Sequence, residues 1–225
     1  NFVEVYIPTG ERVARIPVPP LVEGYPANVG IGRRALHKVL GDRAKAAGAE
    51  VRLGVTVEAL EDDGAQVTAR FSDGTSASYD LVIGADGLYS RTREQLFPDA
   101  VKPEFTGQAV WRYNFPKPPE HDCLQAYEGR IGAGLVPLSS EQMYLFVTTP
   151  EPGNPWYETQ GLAAAMRAKL AGMPPAIATL GEQITDDAAV VYKPLETLFL
   201  EQDWHKGRVV LLGDAIHATT PHLGQ

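Results

Sequence analysis

The 225-residue sequence has a single cysteine, Cys123, so no intrachain disulfide can form and a reducing compartment is expected. No apolar run approaches the roughly 18 residues that a membrane-spanning helix needs, which excludes a helical span. The 20 Lys and Arg residues are outnumbered by 28 Asp and Glu, leaving a net charge of −8. A phosphate-reading surface needs concentrated basic residues, so a nucleic-acid partner is excluded. The five His residues lack the spacing of a metal site, and no G-x-S-x-G nucleophile turn occurs. Internal repeats, low-complexity tracts and long linkers are absent from these residues, and no signal segment is expected. Cytoplasm is therefore the expected location. A chain that opens on Asn1 rather than Met is expected to have lost its natural start.

What is present points to an α/β protein. A hydrophobic fraction of 44% supports a sizeable core. Two β-rich runs, Phe2 to Ile7 and Arg12 to Val18, flank Pro8-Thr9-Gly10 and predict a hairpin. Pro17, Pro19, Pro20 and Pro26 then make a stiff crossing. Leu36, Val39, Leu40, Ala44 and Ala47 recur at three- and four-residue spacing, which predicts a helix over Arg33 to Ala47, closed by Gly48. Short strands are predicted at Val51 to Leu53, Val55 to Leu60 and Gln66 to Phe71. From Phe105 to Thr149 the pattern becomes strands without helices, an antiparallel sheet, with helices at Gly161 to Leu170 and Pro174 to Leu180 covering it. Val190 to Leu198 returns as a strand. The expected divisions are a hairpin and crossing (1–27), a first part of one domain (28–103), an inserted domain (104–189) and a return to the first domain (190–225).

Three stretches carry chemistry. Arg208-Val209-Val210-Leu211-Leu212-Gly213-Asp214 is an apolar strand ending at an acid, followed by a loop through Pro221 and Gly224 that should open a helix. Asp80-Leu81-Val82-Ile83-Gly84-Ala85-Asp86-Gly87 is a second such strand, leading through Ser90 into a short helix that contains Arg93. Both read as buried strands of a parallel sheet, whose ends are where such sheets hold ligands. The third is Gly32-Arg33-Arg34-Ala35-Leu36, an arginine-first helix start. A base at a helix N-terminus is unfavourable unless an anion compensates.

These stretches resemble those of the single-component FAD-dependent aromatic monooxygenases, the family of para-hydroxybenzoate hydroxylase and salicylate hydroxylase. The resemblance implies a partial Rossmann-like FAD-binding domain with an inserted antiparallel-sheet substrate domain. It implies that Asp214, with Gly213, binds the ribityl chain of FAD, and that the loop containing Pro221, Leu223 and Gly224 lies against the flavin ring. Asp86 and Gly87 are implied to lie near the pyrophosphate, with Asp86 ordering N–H groups, water or Arg33 rather than touching phosphate. Arg93 would anchor that segment, and Arg33 would reach the cofactor. No protein nucleophile is implied, and His217 is implied to be structural.

The implied activity is hydroxylation of a small aromatic or heteroaromatic substrate with NAD(P)H and O₂. Trp111 with Tyr113, and Gln125 with Tyr127, each share a strand face and are candidates to line the substrate pocket. The family's opening Gly-rich turn and its helices beyond the second motif are missing from these residues. An incomplete, non-catalytic flavoprotein fragment is therefore a second reading, and an epoxidase or flavin dehydrogenase on the same fold a third. On the fragment reading the isolated chain is expected to bind FAD weakly and to purify colourless. Strand edges near Val82 and Val210 are then expected to stand unpaired, covered by a homodimer partner or by the missing segments of the same protein.

Overall fold

The computed structural model of the protein describes residues 2–221. In chain order lie β1 (Phe2–Tyr6), β2 (Arg12–Pro17), α1 (Arg33–Ala46), β3 (Val57–Asp62), β4 (Val67–Phe71), β5 (Ser76–Tyr79), β6 (Val82–Gly84), α2 (Arg91–Leu96) and β7 (Glu104–Pro116). There follow β8 (Leu124–Tyr127), β9 (Gly132–Pro137), β10 (Gln142–Pro150), α3 (Leu162–Lys169), α4 (Pro175–Glu182), β11 (Val191–Phe199), β12 (His205–Lys206), β13 (Val209–Leu211) and β14 (His217–Ala218). The chain forms two compact units, Asn1–Gly48 with Gly107–Pro194, and Ala49–Thr106 with Leu195–Gln225. Two of these divisions fall inside β7 and β11 rather than between elements.

In the second of these units β6 and β13 pair in parallel, from Val82↔Val209 to Gly84↔Leu211. β12 flanks β13 on its other side, so β13 is central and β6 and β12 are the edge strands of this sheet. This corrects the expectation of an unpaired edge near Val210: the turn at His205 and Lys206 folds back as an antiparallel partner. A separate antiparallel sheet has the order β3-β4-β5. No strand forms at Val51 to Leu53. There Arg52 docks sideways, donating to Asp73 at 2.6 Å and Thr75 at 3.0 Å, with its guanidinium 4.7 Å from the Phe71 ring centroid. β5 has no apolar alternation to announce it; the Thr68 and Ser78 hydroxyls lie 3.2 Å apart across the β4–β5 pair. The core here is Val67, Leu96, Leu200, Val209, Leu211, Ala215 and Ile216.

In the first unit the predicted antiparallel sheet is present. β10 pairs with β7 on one side and β9 on the other, and β9 continues to β8. The β1–β2 hairpin adds to this sheet by a parallel pairing of β1 with β8, Val3↔Leu124 to Tyr6↔Tyr127. Nothing local in the sequence signals a pairing between segments so far apart. Period-two alternation puts Met143, Leu145 and Val147 of β10 on one face with Trp111 and Phe115 of β7 and Leu135 of β9. That face is covered, as expected, by Leu162 and Met166 of α3 and Ile177 of α4. In contrast α1 buries none of its residues, and its apolar stripe of Leu36, Val39 and Leu40 is exposed.

A polar network sits at the buried end of β10. Glu151 is 2% exposed and accepts from Trp111 Nε1 at 3.2 Å, Thr149 Oγ1 at 2.7 Å and Tyr157 OH at 3.0 Å, while Lys169 lies 2.7 Å away. Burial alone would push the Glu151 carboxyl up; the bonds from Lys169, Thr149 and Tyr157 outweigh it and hold it below the usual glutamate range. A group depressed in the folded state stabilises above its unfolded pKa and loses that contribution as pH falls through the folded value. Glu151→Ala should therefore cost about 2–4 kcal/mol in urea denaturation at neutral pH, because three buried donors and a lysine lose their acceptor. The gap between variant and wild type should narrow in acid, below the ordinary glutamate range. A variant within about 0.5 kcal/mol of wild type at neutral pH would show that the network contributes nothing.

Candidate functional site

The parallel pairing of β6 with β13 places Gly84 beside Leu211, so the segments that follow these residues leave the sheet at the same carboxyl edge. Open α/β sheets hold ligands at such an edge. Both chains turn sharply there: Gly87 has φ 84° and Gly213 φ 63°, left-handed backbone that a side chain would strain. Gly84 is required for a different reason. A Cβ on it would meet Thr92 Cγ2 at 2.6 Å and Leu211 Cδ2 at 2.9 Å, so only glycine lets β6 sit this close to α2 and β13.

The acid after β6 is committed to the loop itself. Asp86 accepts from Ser90 Oγ at 2.5 Å, Thr92 N at 2.9 Å and Thr92 Oγ1 at 3.0 Å. Burial pushes its carboxyl up, and these bonds outweigh it to hold the group below the ordinary aspartate range. Ser90 in turn caps α2 by accepting from Arg93 N at 2.9 Å. Arg93 is 3% exposed and donates from one guanidinium nitrogen to the Leu88 carbonyl at 2.8 Å and from the other to the Ala215 carbonyl at 3.0 Å. The loop after β6 and the turn after β13 are thus tied by a single side chain. Asp214, in that turn, is exposed and has no hydrogen-bond partner among the described residues. Sequence pattern does not single out Thr92 or Gly84. The only cue for Thr92 is its place two residues beyond Ser90, and for Gly84 a glycine ending an apolar strand.

The remaining candidates are dispersed. Arg33 begins α1 in the other unit, exposed, after a Gly32 N-cap with no side-chain bond and with no acid in the first turn. Pro221 is exposed, and Leu223 and Gly224 lie outside the described residues. His217 packs 6.0 Å from the Trp204 ring, whose indole N–H donates to the Leu200 carbonyl at 3.2 Å. Trp111, Tyr113, Gln125 and Tyr127 all project to the helix-covered face of their sheet. Trp111 is fully buried with its N–H shared between Thr149 and Glu151, and Tyr127 is buried against Tyr6 with ring centroids 4.8 Å apart. Gln125 donates to Glu4 at 3.3 Å and accepts from Tyr127 at 3.1 Å. Tyr113 packs beside Phe115. Among the described residues no cluster of His, Cys, Asp and Glu could hold a metal ion, and no helix is long and apolar enough to cross a membrane.

The family described as FAD binding domain matches residues 11–225. The chain belongs to this family. Among similar proteins, the FAD-dependent urate hydroxylase of Mycolicibacterium vanbaalenii is 33% identical over 231 residues, spanning 96% of this chain and 56% of that protein. The 6-hydroxynicotinate 3-monooxygenase of Pseudomonas fluorescens is 29% identical, over 96% of this chain and 58% of that protein. The crystal structure of Klebsiella pneumoniae HpxO complexed with FAD and uric acid superposes with a TM-score of 0.86 at 27% identity, covering all of this chain and 58% of that one. The chain thus spans little more than half the length of the relatives it matches.

The described residues fit an FAD. An unspent carboxylate, Asp214, stands at the carboxyl edge of a parallel strand pair, suited to accept from sugar-like hydroxyls. The neighbouring acid, Asp86, has its charge turned inward on Ser90 and Thr92, so it does not oppose a phosphate group with free lone pairs. Because Gly84 is packed against Thr92 and Leu211, Gly84→Ala should cost about 1–3 kcal/mol of stability. Pairing it with Thr92→Ser, which removes the closest methyl, should recover part of that loss in thermal unfolding. Equal stability of Gly84→Ala and wild type would disprove the close fit.

Proposed function

We propose that the full protein carrying this chain is a flavin-dependent hydroxylase of a small aromatic or heteroaromatic substrate, using NAD(P)H and O₂. The observation that carries this reading is the shared carboxyl edge of β6 and β13, with Asp214 unpaired there among the described residues and Asp86 spent on holding the loop. The hydroxylase and monooxygenase names of the relatives at about 30% identity support the same chemistry. Bound FAD would supply electron transfer from NAD(P)H and activation of O₂. The protein's part is to bind, orient and keep water out. In this reading Asp214 accepts from the ribityl hydroxyls, Gly213 and Gly87 let the backbone approach the cofactor, and Pro221, Leu223 and Gly224 border the flavin ring. Asp86 acts as the clamp of the pyrophosphate-side loop. Arg33, with no anion in its own helix turn, supplies a cation to the cofactor.

Two substitutions separate these roles. Asp214 is exposed and has no hydrogen-bond partner among the described residues, so Asp214→Ala should leave thermal stability unchanged while weakening FAD binding by about 1.5–3 kcal/mol. Titration of the full-length apoprotein with FAD reads this directly, and unchanged affinity would refute the ribityl assignment. Arg33→Ala should lower FAD or NAD(P)H affinity several-fold while Arg34→Ala changes it little. Equal effects at the two positions would reduce both to solvated helix charges. The hydroxylase reading itself is tested by product analysis: NAD(P)H consumption stimulated by an aromatic compound, with oxygen incorporated into its ring. Stimulation only by aliphatic ketones or thioethers would sink it.

A further inference from the structure

The loop that joins β7 to β8 is stiff and tied to itself. Pro116, Pro118 and Pro119 restrict its backbone. The Lys117 ammonium donates to the carbonyls of Pro118 and His121, each at 3.1 Å, and His121 N donates back to the Pro118 carbonyl at 3.1 Å. Lys117 N donates to the Glu141 carbonyl at 2.8 Å. The loop ends where β8 begins, and β8 carries the β1–β2 hairpin through the parallel pairing that starts at Val3↔Leu124. How His121 is seated is therefore passed directly to the strand on which β1 docks.

His121 is 6% exposed, and its Nε2 is buried with no hydrogen-bond partner among the described residues. The ring bonds to the Leu135 carbonyl of β9. A carbonyl only accepts, so that bond uses the N–H of Nδ1, and the neutral ring keeps a bare lone pair on Nε2. A proton added there would find no acceptor among the described residues. It would also charge a buried ring whose own carbonyl is held by the Lys117 ammonium. The acids nearby offer little relief. Glu4 on β1 already accepts from Tyr6 at 2.7 Å and Arg12 at 2.5 Å, with Arg15 of β2 at 3.5 Å, and Asp122 is exposed to solvent. Cys123 is buried, and burial pushes its thiol up to about 11, so it brings no charge. Burial is accordingly the leading influence on His121 and holds its ring below the ordinary histidine range.

We propose that His121 is a proton-operated latch: its neutral ring holds the 117–122 loop and, through β8, the β1–β2 hairpin on the sheet, and protonation releases both. The closed seat binds the proton less well than an open, solvated ring does. The closed state is therefore fully favoured above the ordinary histidine value of about 6.5, and it loses that preference as pH falls below it. The released population should rise about five- to ten-fold between about pH 7.5 and pH 5.5. Ordinary carboxylates stay ionised over that interval, which leaves the imidazole as the group that switches. The latch is independent of which reaction the protein carries out.

The test uses the full-length, FAD-loaded protein and takes the buried Cys123, two residues from His121, as its reporter. Labelling by 4,4′-dithiodipyridine is followed by mass spectrometry of the peptide that holds Cys123, and each rate is divided into that of the denatured protein at the same pH. Amide exchange of the hairpin and of β10, corrected for intrinsic rates, is read alongside. In the wild type, protection of Cys123 and of the hairpin should fall about five- to ten-fold from about pH 7.5 to pH 5.5, while β10 stays protected. His121→Asn keeps a donor at the Nδ1 position and cannot be protonated, so its protection should not change over the interval. A wild type with constant protection would overturn the proposal. So would an Asn variant that loses protection as the wild type does, or a β10 that opens in step with the hairpin, since the event would then be global unfolding. If the Asn variant does not fold, NMR titration of the His121 ring in the wild type decides: a midpoint below about 6.5 upholds the latch, and one at or above that value overturns it.

Discussion

The buried guanidinium of Arg93 is the interaction on which the candidate cofactor site depends. A charge that is 3% exposed has no carboxylate partner among the described residues; its guanidinium donates to the carbonyls of Leu88 and Ala215, while its backbone N–H donates to the Ser90 hydroxyl that caps the helix. Such a charge is costly unless its donors are satisfied, so the two carbonyls cannot drift independently. Leu88 lies in the loop after β6 and Ala215 in the turn after β13. Their separation is therefore set by the span of one rigid, planar group rather than by the conformational preferences of either loop.

The acids near this clamp divide their labour by hydrogen-bond supply. Asp86 receives three donors from Ser90 and Thr92, which leaves it little capacity for a ligand. Asp214 receives none among the described residues and faces solvent. Two aspartates at the ends of adjacent strands thus have opposite availability. The same contrast recurs in the other unit. Glu151 is saturated by Trp111, Thr149, Tyr157 and Lys169, whereas Arg112 on the far face of the sheet has an Nε with no partner among the described residues.

Much of this architecture is legible in the amino-acid sequence. Helix α1 follows from its apolar spacing, β7 to β10 from alternation, and the two strand-to-acid junctions from short apolar runs that stop at glycine. The internal role of Asp86 and the anchoring role of Arg93 also follow from the motif. What escapes is what pattern does not encode. The parallel docking of β1 on β8 joins distant segments, and β5 is held by strand pairing with no apolar period of its own. The pocket candidates show a further ambiguity. Alternation correctly puts Trp111 and Tyr113 on one face and Arg112 on the other, but it cannot say which face helices will cover. Aromatic content favours the face that α3 and α4 bury over the one that carries the arginine between them.

The fit of Gly84 against Thr92 and Leu211 has a consequence for how this site can vary. The height of the loop above the sheet is fixed from below, by the close packing of the Thr92 and Leu211 side chains on Gly84, and laterally by Arg93. Its tip is under no such control: Tyr89 is 69% exposed and touches the protein through its hydroxyl, on Glu196. Sequence drift at the tip can therefore proceed without moving the floor. Random mutagenesis read for retention of fold would then find a tolerant crest at Tyr89 over an intolerant base, while the Leu88 carbonyl stays held by Arg93.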